Sequence, residues 1–235
     1  MKTKTIFNRF TLATAAMFVV LALATAARAQ VVTSDSSLPV LYPTGVYLTP
    51  NNVHTTYHGP GLVVVLDNIE HRAFGPVVRT PSGPNEIENF NSQLVGMISA
   101  NGGPIDNNMN ATGPVTVEVF GLIGNTTGTF NTEMLAMNLS GSSAFYGPFM
   151  IRESPTLAST GQTTITDIGG GQFRIDSFFD VFTELSVDGG QSWIPSDSSS
   201  HVNLVPTPEP SVGALAGLAV GLLALKRSRW FGKQC

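Results

Sequence analysis

From Phe173 to Val187 the chain alternates almost without interruption. Phe173, Ile175, Phe179, Val181, Leu185 and Val187 stand at odd positions, with Ser177 and Thr183 between them. The even positions carry Arg174, Asp176, Asp180 and Glu184. In a strand successive side chains point to opposite faces, so this period places one face on a core and the other in water. Two even positions break the rule, Phe178 and Phe182. Fifteen residues exceed an ordinary strand, so the stretch is expected to bend, or to divide at a bulge near Ser177.

The rest of the central chain follows the same grammar. Short apolar runs at Leu62–Leu66, Val115–Phe120, Thr129–Leu139, Phe145–Ile151, Thr163–Ile168 and Val202–Val205 are candidate strands. Glycines punctuate them at 102–103, 124, 141, 169–171 and 189–190. Glu86–Ala100 is ambiguous. Ile87, Phe90, Leu94 and Ile98 share a helical face, whereas Gly96 and the surrounding β pattern favour a strand, which is the reading adopted. The fold class expected is all-β, an antiparallel β-sandwich-like domain over 30–195, followed by a flexible tether over 196–205.

Charge narrows the partners. All four lysines, Lys2, Lys4, Lys226 and Lys233, lie outside Val31–Val205. That span holds four arginines (Arg72, Arg79, Arg152 and Arg174) against fifteen acids, a formal charge of −11. Phosphate would be repelled, so nucleic acid is excluded as a partner. The single cysteine, Cys235, permits no intramolecular disulfide.

The two ends carry addresses. Lys2, Lys4 and Arg9 precede a mostly apolar run from Thr11 to Thr25, and Ala27-Arg28-Ala29 supplies the small-x-small pattern of a signal-peptidase site. A signal peptide over 1–29 is expected, cleaved before Gln30, with the Sec machinery and signal peptidase as partners. At the other end Pro206, Pro208, Glu209 and Pro210 form a proline knot around one acid. A single membrane helix is expected over 211–225, and a basic cluster of Lys226, Arg227 and Arg229 follows, which the positive-inside bias holds in the cytoplasm. Val212–Leu225 has 14 residues, about 21 Å as helix against a hydrocarbon core of about 30 Å, which suits a temporary anchor. Gly213, Gly217 and Gly221 line one face of that helix and would let another helix approach closely.

The order of knot, apolar run and basic cluster over 206–235 resembles the PEP-CTERM sorting tail of bacterial exported proteins. The resemblance implies recognition of Pro206–Pro210 by a membrane-embedded exosortase and delivery of the body to the cell surface or extracellular matrix. Segments in the body, Phe130–Leu135, Ile151–Leu157 and Asp176–Leu185, resemble a β-rich domain that recurs in that group. This second likeness spans about Asp67–Trp193 and implies no mechanism.

Four constellations could carry chemistry. Ser186, Asp188, Gly190 and Trp193 fit the Asp-box pattern of sialidase-like propellers, where the box is a structural turn away from the catalytic centre. It occurs once here, so a stabilised hairpin is the reading. His54, His58 and His71 form a loose cluster that Asp67 or Glu70 could join around a metal, although surface or hydrogen-bonding histidines are the plainer expectation. Asp176, Asp180 and Glu184 project from one strand face at about 13 Å steps, too far apart for a catalytic pair; solvated charges are expected, with calcium bridging to another strand as the alternative. Arg152 is expected to pair with a strand acid. The sequons at Asn110, Asn125 and Asn138 are weak signals. The chain lacks a Gly-x-Ser-x-Gly elbow, a Walker loop and a Cys-x-x-Cys pair. No catalytic residue and no resident cofactor or metal is assigned. The expectation is a structural or adhesive protein of an exopolysaccharide matrix, with a carbohydrate-binding or carbohydrate-active protein as the rival.

Overall fold

The computed structural model describes residues 31–34, 46–49 and 54–205. The expected signal peptide and sorting tail, with Ala27, Ala29, Gln30, Pro206–Pro210, Gly213, Gly217, Gly221 and the basic residues Lys226, Arg227 and Arg229, lie outside them. Thirteen strands make up the regular structure: β1 (Val31–Thr33), β2 (Val46–Leu48), β3 (Thr55–Gly59), β4 (Leu62–Ser82), β5 (Asn85–Ala100), β6 (Asp106–Val119), β7 (Gly128–Ser143), β8 (Gly147–Glu153), β9 (Ser159–Gly169), β10 (Gln172–Val181), β11 (Thr183–Ser186), β12 (Ile194–Pro195) and β13 (Ser200–Val205). Among the described residues there is no helix.

The all-β, antiparallel expectation holds. The two faces of the expected sandwich are joined into one continuous sheet. Neighbours can be followed from β7 through β9, β10, β13, β2, β4, β5 and β6 back to β7, and every pairing is antiparallel. An all-antiparallel ring must hold an even number of strands, and this one holds eight. Closure leaves few unpaired backbone groups at sheet edges. One strand makes it work. The first half of β7, Gly128–Met134, pairs with β9, and its second half, Asn138–Ser143, pairs with β8. Beyond that division the wall is completed by β8, β11, β12 and β3, with a single bridge between Tyr57 and Ser196.

Inside, the alternation reads as expected as far as Leu185; Val187, expected on the core face, is instead exposed in the turn that follows β11. Ile175, Phe179, Val181 and Leu185 are buried, and Asp176, Phe178, Asp180 and Glu184 are half-buried on the outer side. The division of this stretch falls at Phe182, not near Ser177. There the chain leaves β9, its partner up to Thr160–Asp180, and takes up β8, its partner from Glu153–Thr183. The change of partner does not shift the phase, so Thr183 and Leu185 remain inward.

Glu86–Ala100 is a strand. Glu88, Phe90, Ser92, Leu94 and Ile98 face inward. Two polar residues at inward positions hide the period-two pattern, which explains the helical reading of its apolar residues. The tether expected over 196–205 is corrected. Ser200–Val205 is β13, held between β10 and β2, with Val202 and Leu204 in the core. Serine and aspartate at 196–199 suggest a linker, but the ring cannot close without the strand that follows. The short β1, β2, β3 and β12 have too few residues for periodicity to reveal them.

The interior is apolar at most positions, with a polar vein. His71 is buried and bonds through Nε2 to the Ser92 hydroxyl. Tyr47 lies with its ring 6.2 Å from His71 and its hydroxyl 3.4 Å from Ser177. Burial raises the Tyr47 hydroxyl above its usual range, against the Ser177 bond and with the Glu88 charge adding. Glu88 is fully buried, 3.6 Å from Arg79.

Candidate functional site

The most ordered constellation is the Ser186–Trp193 turn. β11 ends at Ser186, and Gly189 and Gly190 take φ of 73° and 88°, a backbone that side chains with Cβ rarely adopt. Asp188 organises the turn. Its Oδ1 accepts the amides of Gln191 and Ser192, each at 3.0 Å, and the Ser186 hydroxyl at 2.7 Å; its Oδ2 accepts the Ser192 hydroxyl at 2.5 Å. These donors, the Ser192 hydroxyl foremost, hold the carboxylate well below its usual range. Ser186 Oγ accepts the Gly190 amide at 2.9 Å, and Trp193 Nε1 donates to the Gly190 carbonyl at 3.1 Å. The acid is thus consumed by its own turn.

Arg152 on β8 lies against this turn. Its guanidinium sits 4.0 Å from the Trp193 ring centre and donates from Nε and Nη2 to Glu184 Oε2 at 2.9 and 2.6 Å. The expected pairing with a strand acid is therefore present, and β8–β11 register sets it by placing Arg152 opposite Glu184.

The histidines do not converge. His54 lies 3.4 Å from Asp67, His58 lies 2.8 Å from Asp197, and His71 is in the core. Glu70 pairs with Arg72. Among the described residues no three metal-ligating side chains come together. The outer acids of β10 and β11 are likewise dispersed. Glu184 meets Arg152, and Asp180 accepts from His201 Nδ1 at 2.6 Å. Asp176 lines an outer groove beside Phe178.

Two cavities bear on binding. The one enclosed in the core, among Tyr57, His71, Leu94, Val181, Thr183 and Val202, measures about 40 Å³, too small for an organic ligand. The other is an open groove of about 380 Å³ on the outer face of β9, β10 and β13, lined by Gln162, Thr164, Asp176, Phe178, Asn203 and Val205. It lies where β1 and β13, both on the same edge of β10, part company: β1 ends its pairing at Val31–Ile175 and β13 begins at Asn203–Phe178. Register builds a cross-strand row over it, Asn131, Gln162, Phe178 and Asn203.

Gln162 and Asn203 carry no sequence signal. Phe178 does. It is an aromatic residue on the side of the strand where the alternation calls for a polar one. Such an exception marks either a second buried face or a contact surface. No family model, no curated protein and no solved structure matches the chain.

Proposed function

We propose that the chain is an exported cell-surface or extracellular-matrix protein whose β domain works by structure and adhesion rather than by catalysis. One observation carries this reading: the sequence order of Pro206–Pro210, apolar run and basic cluster, opposite a start patterned for cleavage after Ala29. The fold supports it. The domain's first and last strands meet on one edge of β10, at Ile175 and Phe178, about 10 Å apart at about 3.3 Å per residue. A ring that closes through its last strand needs neither flanking segment to complete its sheet. Export then proceeds through Sec and signal peptidase, and an exosortase-type enzyme acts on the tail. Calcium enters this reading only as an additive to the binding experiment below.

Mass spectrometry of the protein recovered outside the cell tests the sorting step. The expected mature form begins at Gln30 and lacks the residues beyond the Pro206–Pro210 knot. An extracellular form that retains Ser211–Cys235 intact overturns it.

A second reading, a carbohydrate-binding protein, is favoured by the groove at Phe178.

A further inference from the structure

We infer that the groove between β9, β10 and β13 is a binding site for a neutral polysaccharide chain, with one sugar ring packed on Phe178. The inference rests on the carbohydrate-binding reading and gives it a ligand class and a set of residues. Sugar rings offer two things, an apolar face of C–H groups and hydroxyls that both donate and accept. A protein answers with an aromatic face and with planar groups that carry paired donors or acceptors.

The groove holds both. The Phe178 ring is backed by the His201 ring, 5.1 Å away and inclined at 33°, and His201 is itself held by Asp180. The aromatic is therefore fixed before any ligand arrives, which lowers the ordering cost of binding. On either side of it stand Gln162 and Asn203, each directly opposite Phe178 on the neighbouring strand. Gln162 Nε2 is oriented by Asn131 Oδ1 at 3.3 Å, leaving its carbonyl oxygen for a ligand. Two residues along β10 Asp176 lines the same groove. The volume, about 380 Å³, lies within the range of small-ligand sites.

Charge selects among polysaccharides. Asp176 and Asp180 flank the ring on a domain of formal charge −11. A uronate or sulfated chain would be repelled at that surface, whereas a neutral chain presents only hydroxyls to Asp176. A second groove, of about 430 Å³ and lined by Asn68, Glu70, Arg72, Asn107, Asn108 and Asn110, has amides but no aromatic ring, so it serves as the internal comparison.

The test is affinity electrophoresis of the full-length chain in gels containing dextran, galactomannan or a soluble β-glucan, beside gels containing alginate or hyaluronate, each with and without calcium. At least one neutral polymer is expected to retard the protein. Phe178→Ala should weaken that retardation about tenfold, the loss of one stacked ring. Asn203→Ala and Asp176→Asn should each weaken it severalfold, and both are outer-face changes that leave the core intact. Asn108→Ala in the other groove should change nothing. Failure of every neutral polymer to retard the protein, stronger retardation by the anionic ones, or undiminished binding by Asn203→Ala and Asp176→Asn overturns the site. None of these outcomes bears on the tail, which mass spectrometry tests separately.

Discussion

The Arg152 guanidinium lies 4.0 Å from the centre of the Trp193 ring while it donates twice to Glu184. Three separate stretches of chain are tied there: β8, β11 and the turn that leads into β12. Glu184 is 12% exposed and Arg152 31%, so the contact is shielded more than a surface ion pair. Arg152→Ala should destabilise the domain by about 1–2 kcal/mol in urea unfolding. Arg152→Lys should restore less than half of that, because an ammonium cannot both stack on the ring and make the forked bond.

Gly161 sits inward on β9, where a Cβ would fall 2.2 Å from the Phe178 carbonyl oxygen and 2.8 Å from the Thr132 hydroxyl. The neighbour that would have to move is backbone, not a flexible side chain. Gly161→Ala should therefore cost about 1–3 kcal/mol in the same assay. An unchanged unfolding midpoint would show that β9 and β10 are not held this close.

His71 supplies a pH dependence. Burial pushes its imidazole down to about 4 from 6.5, so it stays neutral in the folded state while the unfolded chain takes up a proton. Its contribution to stability therefore falls as pH drops through that window, by about 2 kcal/mol between pH 7 and pH 5. His71→Gln cannot titrate, and its stability profile should lack this slope. A mutant and a parent with the same slope would place the histidine in water.

Glu153 works in the opposite direction. Partial burial raises its carboxyl to about 7 from 4.5, helped by the charges of Glu133 and Glu184 and opposed by the Ser159 hydroxyl, which donates to it at 3.2 Å. The folded state holds the proton longer than the unfolded one, so stability falls as pH rises from 4.5 to 7. Glu153→Gln should be more stable than the parent at pH 8 and about equal to it at pH 4, as read by thermal unfolding.

The sequence made the long inward-facing runs legible where apolar residues dominate the core face, as they do on the odd positions of Phe173 to Leu185, with only Ser177 and Thr183 between them. It was ambiguous where the core face itself is polar. Glu88 and Ser92 broke the pattern of β5, and no rule of periodicity assigns a buried glutamate. At β13 it marked Val202–Val205 as a strand yet also assigned 196–205 to a tether, because serine and aspartate before a strand look the same as serine and aspartate in a linker. The Ser186–Trp193 turn was readable because its bonds are local, spanning at most four residues.

By itself, then, the sequence determined the β class, the acid balance of the domain and the chemistry of its local turns, since the first and last depend on residues near one another in the chain and the charge is a plain sum over residues. Tertiary structure alone decided the closure of the sheet, the separation of the three histidines, and the row of Asn131, Gln162, Phe178 and Asn203. These depend on strand register between segments tens of residues apart, and register is fixed by how the whole core closes. The aromatic exception at Phe178 lies at the meeting point of the two. The sequence exposed it as out of phase, and only the fold gave it neighbours.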